Sequence, residues 1–316
     1  MPRRPTVLRR IRSAAESATT GLFLGLARWL PRDWLLALGT ATGELGYRLA
    51  RKHTRVALEN LELAFDDALA PAERRRIARA CWRHYGRITA DAAAFHRLRP
   101  EDIGTRIRYE GLEALRAAHA EGKGVLLLSG HFGHWELTAY MQGYLGCPLL
   151  MITKPMDNPR VEAMLAGLRS GSGNTIVAKA DAVRASLRAL ASGMGVAVMI
   201  DQDARGSGVF VPFFGRLSST IPTVGTLHLR TGAAVVATFS YPESDGGWRI
   251  TYQRLTFPGL TGQREQDVLR ITAETTALLE SRIRERPELW LWMHRRWKTP
   301  PPAAQPTRQV SPTDSR

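Results

Sequence analysis

Residues 124–136 read GVLLLSGHFGHWE, and this stretch decides the fold. Val125 to Leu128 is an apolar run too short for a helix of its own, and the serine and glycine that close it mark it as a buried strand. HWELTAYMQGYL (134–145) then carries a helical pattern. The polar residues between them fall at the carboxyl end of the strand, where open α/β sheets bind their ligands. His131 therefore stands where a substrate is expected, and Gly130 and Gly133 allow a tight turn and a close approach.

Outward from this point the alternation continues. CPLLMIT (147–153) is a second strand, followed by a loop, PMDNP, and the helical VEAMLAGLRSG (161–171). ADAVRASLRALASG (180–193) gives a further helix, and GVAVMIDQD (195–203) repeats the form of an apolar strand running into polar residues. VFVPFFG, AAVVATFSYP and WRITYQRLTF are strand candidates, and Gln266 to Arg284 is the last long helix. Toward the N-terminus, residues 55–120 read as helical, with Pro71 as a helix start and Gly122 as a stop. Such alternation predicts an α/β sheet covered on both faces.

The formal net charge of +15 sets up a field that attracts anionic lipid headgroups, nucleic acid or an acidic protein. No nucleic-acid-binding signature accompanies it, so no nucleic-acid partner is expected. Cys81 and Cys147 are the only cysteines, which disfavours a disulfide framework and points to a reducing, cytosol-facing compartment. Two apolar runs, Ser17 to Ala27 and Trp34 to Gly43, follow the arginine-rich Met1 to Arg12. Each falls well short of the roughly 20 residues that span a bilayer. Residues 1–50 are thus either a membrane-associating helical segment lying in the headgroup boundary or a helical hairpin packed on the rest. The globular domain is expected over 51–299, and the polar, proline-rich 300–316 is expected to be disordered.

Within SGHFGHWE, a carboxylate at Glu136 on the first helical turn can reach back to His131, fix its tautomer and raise its basicity. The other imidazole nitrogen would then take a proton from a hydroxyl. The same two residues can also be a helix cap and a first-turn acid favoured by the helix dipole. A metal site from His131, His134 and Glu136 is a weaker alternative, because HxxH alone is not specific.

The string resembles the HxxxxD/E motif of the glycerolipid and lysophospholipid acyltransferase superfamily, and specifically the bacterial lipid A biosynthesis acyltransferases of lauroyl/myristoyl type. RVALENLELAF (55–65), KPMDNPRVEAMLAGLR (154–169), MIDQD with VFVPFFG, and WLWMHRRWK (290–298) are similar to further blocks of that family in the same order. The resemblance implies a central mixed sheet flanked by helices, as in glycerol-phosphate acyltransferases, and a membrane-associating N-terminal segment. It implies that His131 is the general base and Glu136 its orienting partner. Arg169 is implied at the carbonyl oxyanion or a substrate phosphate. Asp201 and Asp203 are implied to hold Arg169 or an acceptor hydroxyl, with Lys154 and Arg160 as weaker phosphate contacts.

The implied activity is late acylation of lipid A at the cytoplasmic face of the inner membrane, from acyl carrier protein to a hydroxyl of a lipid acceptor, with no cofactor or metal. Neither cysteine has the setting of an acyl-enzyme nucleophile. A lysophospholipid or mannosylated phosphatidylinositol acceptor, and a non-catalytic membrane-binding homologue, are the alternatives. The chain departs from the usual motif in carrying His134 where an asparagine is common. Arg295, Arg296 and Lys298, with the tryptophans beside them, either meet a lipid interface or, for Trp290 and Trp292, pack on the sheet.

Overall fold

Four helices open the chain: α1 (Val7–Trp29), α2 (Arg32–Leu49), α3 (Arg51–Phe65) and α4 (Pro71–Ala93). Then follow β1 (Ile107–Glu110), α5 (Leu112–Ala120), β2 (Val125–Ser129), α6 (Trp135–Tyr144), β3 (Leu149–Thr153) and α7 (Pro159–Ser170). The second half runs β4 (Thr175–Ala178), α8 (Ala182–Ala191), β5 (Gly195–Met199), β6 (Val209–Phe213), β7 (Arg216–Thr220), α9 (Thr223–Thr231), β8 (Ala234–Pro242), β9 (Trp248–Leu255) and α10 (Arg264–Glu285). This computed structural model describes residues 7–302 except 155 and 157. The tail expected to be disordered falls outside the described residues from 303 onward, as do residues 1–6 of the N-terminal segment.

Seven strands form one mixed sheet in the order β1-β9-β8-β2-β5-β3-β4, with β6 and β7 as a separate antiparallel pair. All ladders of the large sheet are parallel except β8 with β9. The central strand β2 is buried along its whole length. Leu126 and Leu128 face one hydrophobic cluster with α3, α8, α9 and α10, while Val125 and Leu127 face another with α5 and α6. Period-2 alternation on a strand covered on both faces therefore divides the core into two layers.

The α/β alternation expected from sequence is present, with four elements added. β1 interrupts the stretch expected to be helical; its four residues carry little pattern of their own and are held by parallel pairing to β9. β4 and β7 are likewise short strands defined by their ladders, and α9 ends at Gly232 in the left-handed region, φ 69°. In each case tertiary pairing supplies what local propensity does not.

The two N-terminal apolar runs lie in α1 and α2, separated at Leu30 and Pro31. Helix α2 packs on α4 backbone to backbone. A Cβ on Gly43 would lie 2.2 Å from the Trp82 carbonyl oxygen, and one on Gly86 2.1 Å from the Gly39 carbonyl oxygen. The opposite faces carry exposed Leu22, Leu26 and Trp29 on α1 and Trp34, Leu38, Leu45 and Leu49 on α2. α2 is thus packed on the fold through α4, and α1 and α2 each leave apolar side chains exposed. No described helix is long and apolar enough to cross a membrane.

Candidate active site

The loop from Gly130 to His134 leaves the end of β2 and is fixed on every side. Gly133 adopts φ 60°, and a Cβ there would lie 1.9 Å from the Ser240 carbonyl oxygen, so only glycine lets the loop pass β8. The Gly133 amide donates to the Leu289 carbonyl at 2.9 Å, and the Leu291 amide donates to the His131 carbonyl at 3.0 Å. Phe132 and Trp290 form an antiparallel bridge. The 290–298 block is therefore clamped on the loop. His84 Nε2 lies 3.0 Å from the Gly133 carbonyl oxygen; its full burial pushes the imidazolium down to about 4, so it donates there as a neutral ring.

His131 pairs with Asp201 at the end of the neighbouring strand β5. Its Nδ1 is 2.9 Å from Asp201 Oδ1, and its backbone amide donates to Oδ2 at 2.7 Å. The indole Nε1 of Trp290 donates to the same Oδ2 at 2.8 Å. Burial disfavours the Asp201 carboxylate, yet the imidazole and these donors outweigh it and hold the group down at about 2. For His131 burial likewise acts against the charged ring, but the Asp201 charge and hydrogen bond prevail and raise its pKa above the usual value. The arrangement puts the proton on Nδ1 and leaves Nε2 basic, with Gln202 Nε2 at 3.4 Å.

Glu136 does not take the partner expected for it. Arg169, from the last turn of α7, donates Nη2 to Glu136 Oε1 at 2.6 Å and Nε to Oε2 at 3.0 Å, a two-pronged guanidinium–carboxylate pair. His134 is the N-cap of α6, which places Glu136 on the first turn beyond Trp135. The Trp135 ring stands edge-on 5.2 Å from the His131 ring, and the carboxylate extends toward α7 instead. The expectation that Glu136 orients His131, and the expectation that Asp201 holds Arg169, are thus both replaced by two separate pairs. The pairs remain coupled: the Glu136 charge raises the His131 pKa and the Arg169 charge lowers it, behind the larger Asp201 effect.

The other expected residues lie elsewhere. Asp203 accepts from Thr299 Oγ1 at 2.9 Å, and its amide donates to His294 Nε2 at 3.0 Å, so it ties the β5 end to the closing block and not to Arg169. Lys154 is exposed just after β3, and Arg160 is exposed at the start of α7. His134 is fully buried; its Nδ1 accepts the Leu137 amide at 3.3 Å and its Nε2 faces Asp91 Oδ2 at 3.7 Å. Burial pushes His134 down to about 4. His131, His134 and Glu136 thus turn to three different partners, which disperses the weaker metal alternative. Cys81 and Cys147 are both buried, and burial pushes the Cys81 thiol up to about 12, opposite to what a nucleophile needs.

Trp290 and Trp292 pack in the core, and Arg296 is buried as well, contrary to a lipid-facing role. Arg296 Nη1 donates to the Ser219 carbonyl at 2.6 Å and its guanidinium lies over the Phe213 ring. The role of Trp290 as a donor to Asp201 was not legible in advance; the signal available was the closing block's place in the family order.

A cavity of about 620 Å³ opens beside Glu136 and Arg169. Phe23, Leu24, Gly43, Tyr85, Trp135 and Leu165 are among its walls, so α1, α2, α4, α6 and α7 all bound it, and it is predominantly apolar. A charged pair in the wall of an apolar cavity suits a substrate with a polar reacting end and a hydrocarbon body.

A family model described as bacterial lipid A biosynthesis acyltransferase matches residues 4–299. The chain is similar to a lipid A biosynthesis lauroyltransferase of Escherichia coli K12, 27% identical over 281 residues, which cover 88% of this chain and 90% of the relative. It is similar to a lipid A biosynthesis palmitoleoyltransferase of the same strain, 28% identical over 276 residues, with 86% and 87% covered. A lipid A biosynthesis acyltransferase of Haemophilus influenzae is 27% identical over 298 residues, with 90% and 92% covered.

Proposed function

Because the chain belongs to the bacterial lipid A biosynthesis acyltransferase family, we propose that it moves a fatty acyl chain from an acyl carrier protein thioester to a hydroxyl of a lipid A precursor, with His131 as general base. The observation that carries this reading is the His131–Asp201 pair, with Nε2 left basic, together with the Glu136–Arg169 pair in the wall of the apolar cavity.

In the first step the acceptor hydroxyl gives its proton to His131 Nε2 while its oxygen bonds to the thioester carbonyl carbon. Asp201 keeps its charge, accepts the hydrogen bond from Nδ1–H and stabilises the imidazolium that forms. The carbonyl becomes an oxyanion. The backbone amides of residues 131–134 already donate to Asp201, Gly130, Leu289 and Ser240, which leaves them no part in stabilising it. That role falls to the Arg169 guanidinium, which Glu136 holds through Nε and Nη2 and whose Nη1 extends free of that pair. Collapse of the intermediate breaks the carbon–sulfur bond, and the departing thiolate takes the proton back from His131. No cofactor enters, and the acyl chain occupies the cavity between α1, α2, α4, α6 and α7.

The exposed apolar faces of α1 and α2 support association with the cytoplasmic face of the inner membrane, with Trp29 (88% exposed) and Trp34 (72% exposed) at headgroup depth. The net positive charge favours an anionic surface and an acidic carrier protein. The test is transfer of radiolabelled acyl groups from acyl carrier protein to a tetra-acylated lipid A precursor, a lysophospholipid and a mannosylated phosphatidylinositol. Product on the lipid A precursor supports the reading. Product only on another acceptor overturns the acceptor, and product on none overturns the transfer.

A further inference from the structure

A second cavity, of about 60 Å³, lies beside the break between α1 and α2, separate from the acyl cavity. Its volume is enough for a few waters or one small inorganic group, not for a chain or a sugar. Arg32, Arg97 and Arg106 line it with a single acid, Asp91, and the apolar Leu98 and Trp248 complete the wall. Arg32 is committed to the acid: Nε and Nη2 donate to the two Asp91 oxygens at 3.1 Å each, and Nη1 donates to the Gly246 carbonyl at 3.1 Å. Asp91 is also bonded by the Trp248 indole at 3.1 Å, so its charge is spent within the protein.

The other two guanidinium groups keep open donors, Arg97 without an ion-pair partner among the described residues and Arg106 in an ion pair with Asp102 at 2.9 Å. Among the described residues Arg97 donates from Nη1 to the Leu30 carbonyl, and Arg106 from Nη1 to Asp102, leaving Nε and Nη2 of each available. Two arginine forks with open donors face a cavity whose only acid is already neutralised. That is a setting for an anion with several oxygens.

We infer that this cavity is a phosphate site, and that its ligand is the terminal phosphate of a membrane lipid. Arg97 grips the Leu30 carbonyl in the turn between the exposed Trp29 and Trp34, so the cavity lies beside the turn that carries those two indoles. If the indoles lie at headgroup depth, a lipid phosphate lies at the height of the arginines. This placement rests on the membrane reading of α1 and α2. A phosphomonoester fits better than a diester, because the small cavity leaves no room for a second substituent.

The test is flotation with phosphatidylcholine vesicles, alone or doped with phosphatidic acid or with phosphatidylglycerol, and with inorganic phosphate as competitor. The proteins are wild type, Arg97→Gln/Arg106→Gln, and a control pair of equal charge loss far from the cavity, Arg188→Gln/Arg264→Gln, each checked for an unchanged Tm. Wild type should prefer phosphatidic acid over phosphatidylglycerol, and the cavity pair should lose about fivefold or more of that preference, as one unpaired cation near a lipid surface predicts. Binding to undoped vesicles should be unchanged in all three proteins. An equal loss in the control pair, or a preference retained by the cavity pair, overturns the site. Millimolar inorganic phosphate should weaken the wild-type preference by competing for the site, and a preference it leaves untouched overturns the phosphate site; stabilisation of wild type by inorganic phosphate with no preference for phosphatidic acid makes free phosphate the ligand and overturns the lipid assignment. If wild type floats with no vesicle, the membrane reading fails; protection of the Arg97 and Arg106 variants' parent by inorganic phosphate in a Tm assay, absent from the cavity pair, then decides the phosphate site by itself.

Discussion

His131 binds Asp201, seventy positions later in the chain, through both its ring and its backbone amide, while the acid of its own motif, Glu136, binds Arg169. The acid that sets the base and the acid that sets the cation are therefore different residues, and substitutions should separate them.

Asp201→Asn should lower the rate of acyl transfer by about 10²- to 10⁴-fold, because an amide can donate to Nδ1 and move the ring proton to Nε2. The pH profile carries a second signature. Asp201 is the main factor raising the His131 pKa against burial, and a general base works only when neutral, so wild-type activity should fall as pH drops through that raised value. Without the Asp201 charge the residual activity should keep its acid limb at lower pH. An unshifted limb in a pH–rate profile would contradict the pairing.

Glu136→Gln should cost about 10²-fold in kcat by loosening Arg169, and Arg169→Gln a similar amount. The two act as one unit, so the double variant should be little worse than either alone. Multiplicative losses in a double-mutant cycle would show that Glu136 acts on something other than Arg169.

His134→Asn should preserve the N-cap of α6, since asparagine is a good capping residue, and should leave the acid limb of the activity profile in place. Stability should respond instead. His84 and His134 are both held down at about 4 by burial, whereas an unfolded histidine titrates near 6.5. The unfolded chain thus binds more protons below that value, and folding stability should fall between about pH 6.5 and 4, by up to about 3 kcal/mol for each residue. Urea midpoints compared at pH 7 and pH 5 should show a shallower loss in His134→Asn than in wild type.

Gly43→Ala should destabilise the protein by about 3 kcal/mol or more, because its Cβ would meet the Trp82 backbone at 2.2 Å and α2 cannot move away without opening the acyl cavity. Gly25→Ala, which meets nothing within 4 Å, should be neutral or slightly stabilising by helix propensity. Chemical denaturation of the two variants side by side measures the difference.

How much of this was legible in the sequence follows from the range of each interaction. β2, the loop with His131 and the helix after it are written in the 22 consecutive residues 124–145, because a strand closed by glycine and a helical apolar stripe are local patterns. β1 and β4 were not, because each has four residues and exists through pairing with a distant strand. The identity of the site residues was mostly legible, yet their partners were not. Spacing along a helix suggested Glu136 for His131, but β2 and β5 are adjacent in the sheet, which brings Asp201 to the ring, and the closing block adds Trp290 to the same oxygen. Arg296 was read as a surface cation because a buried arginine is rare; its carbonyl and hydroxyl acceptors on β7 have no sequence signature.

The central claim is that His131 removes the acceptor proton in acyl transfer. Single-turnover transfer from a radiolabelled acyl carrier protein thioester to the tetra-acylated lipid A precursor, with wild type and His131→Ala side by side, isolates that step from product release. The account predicts product from wild type and a loss of roughly 10³-fold or more in the variant, with its circular dichroism spectrum unchanged. A His131→Ala rate within a few-fold of wild type would contradict it.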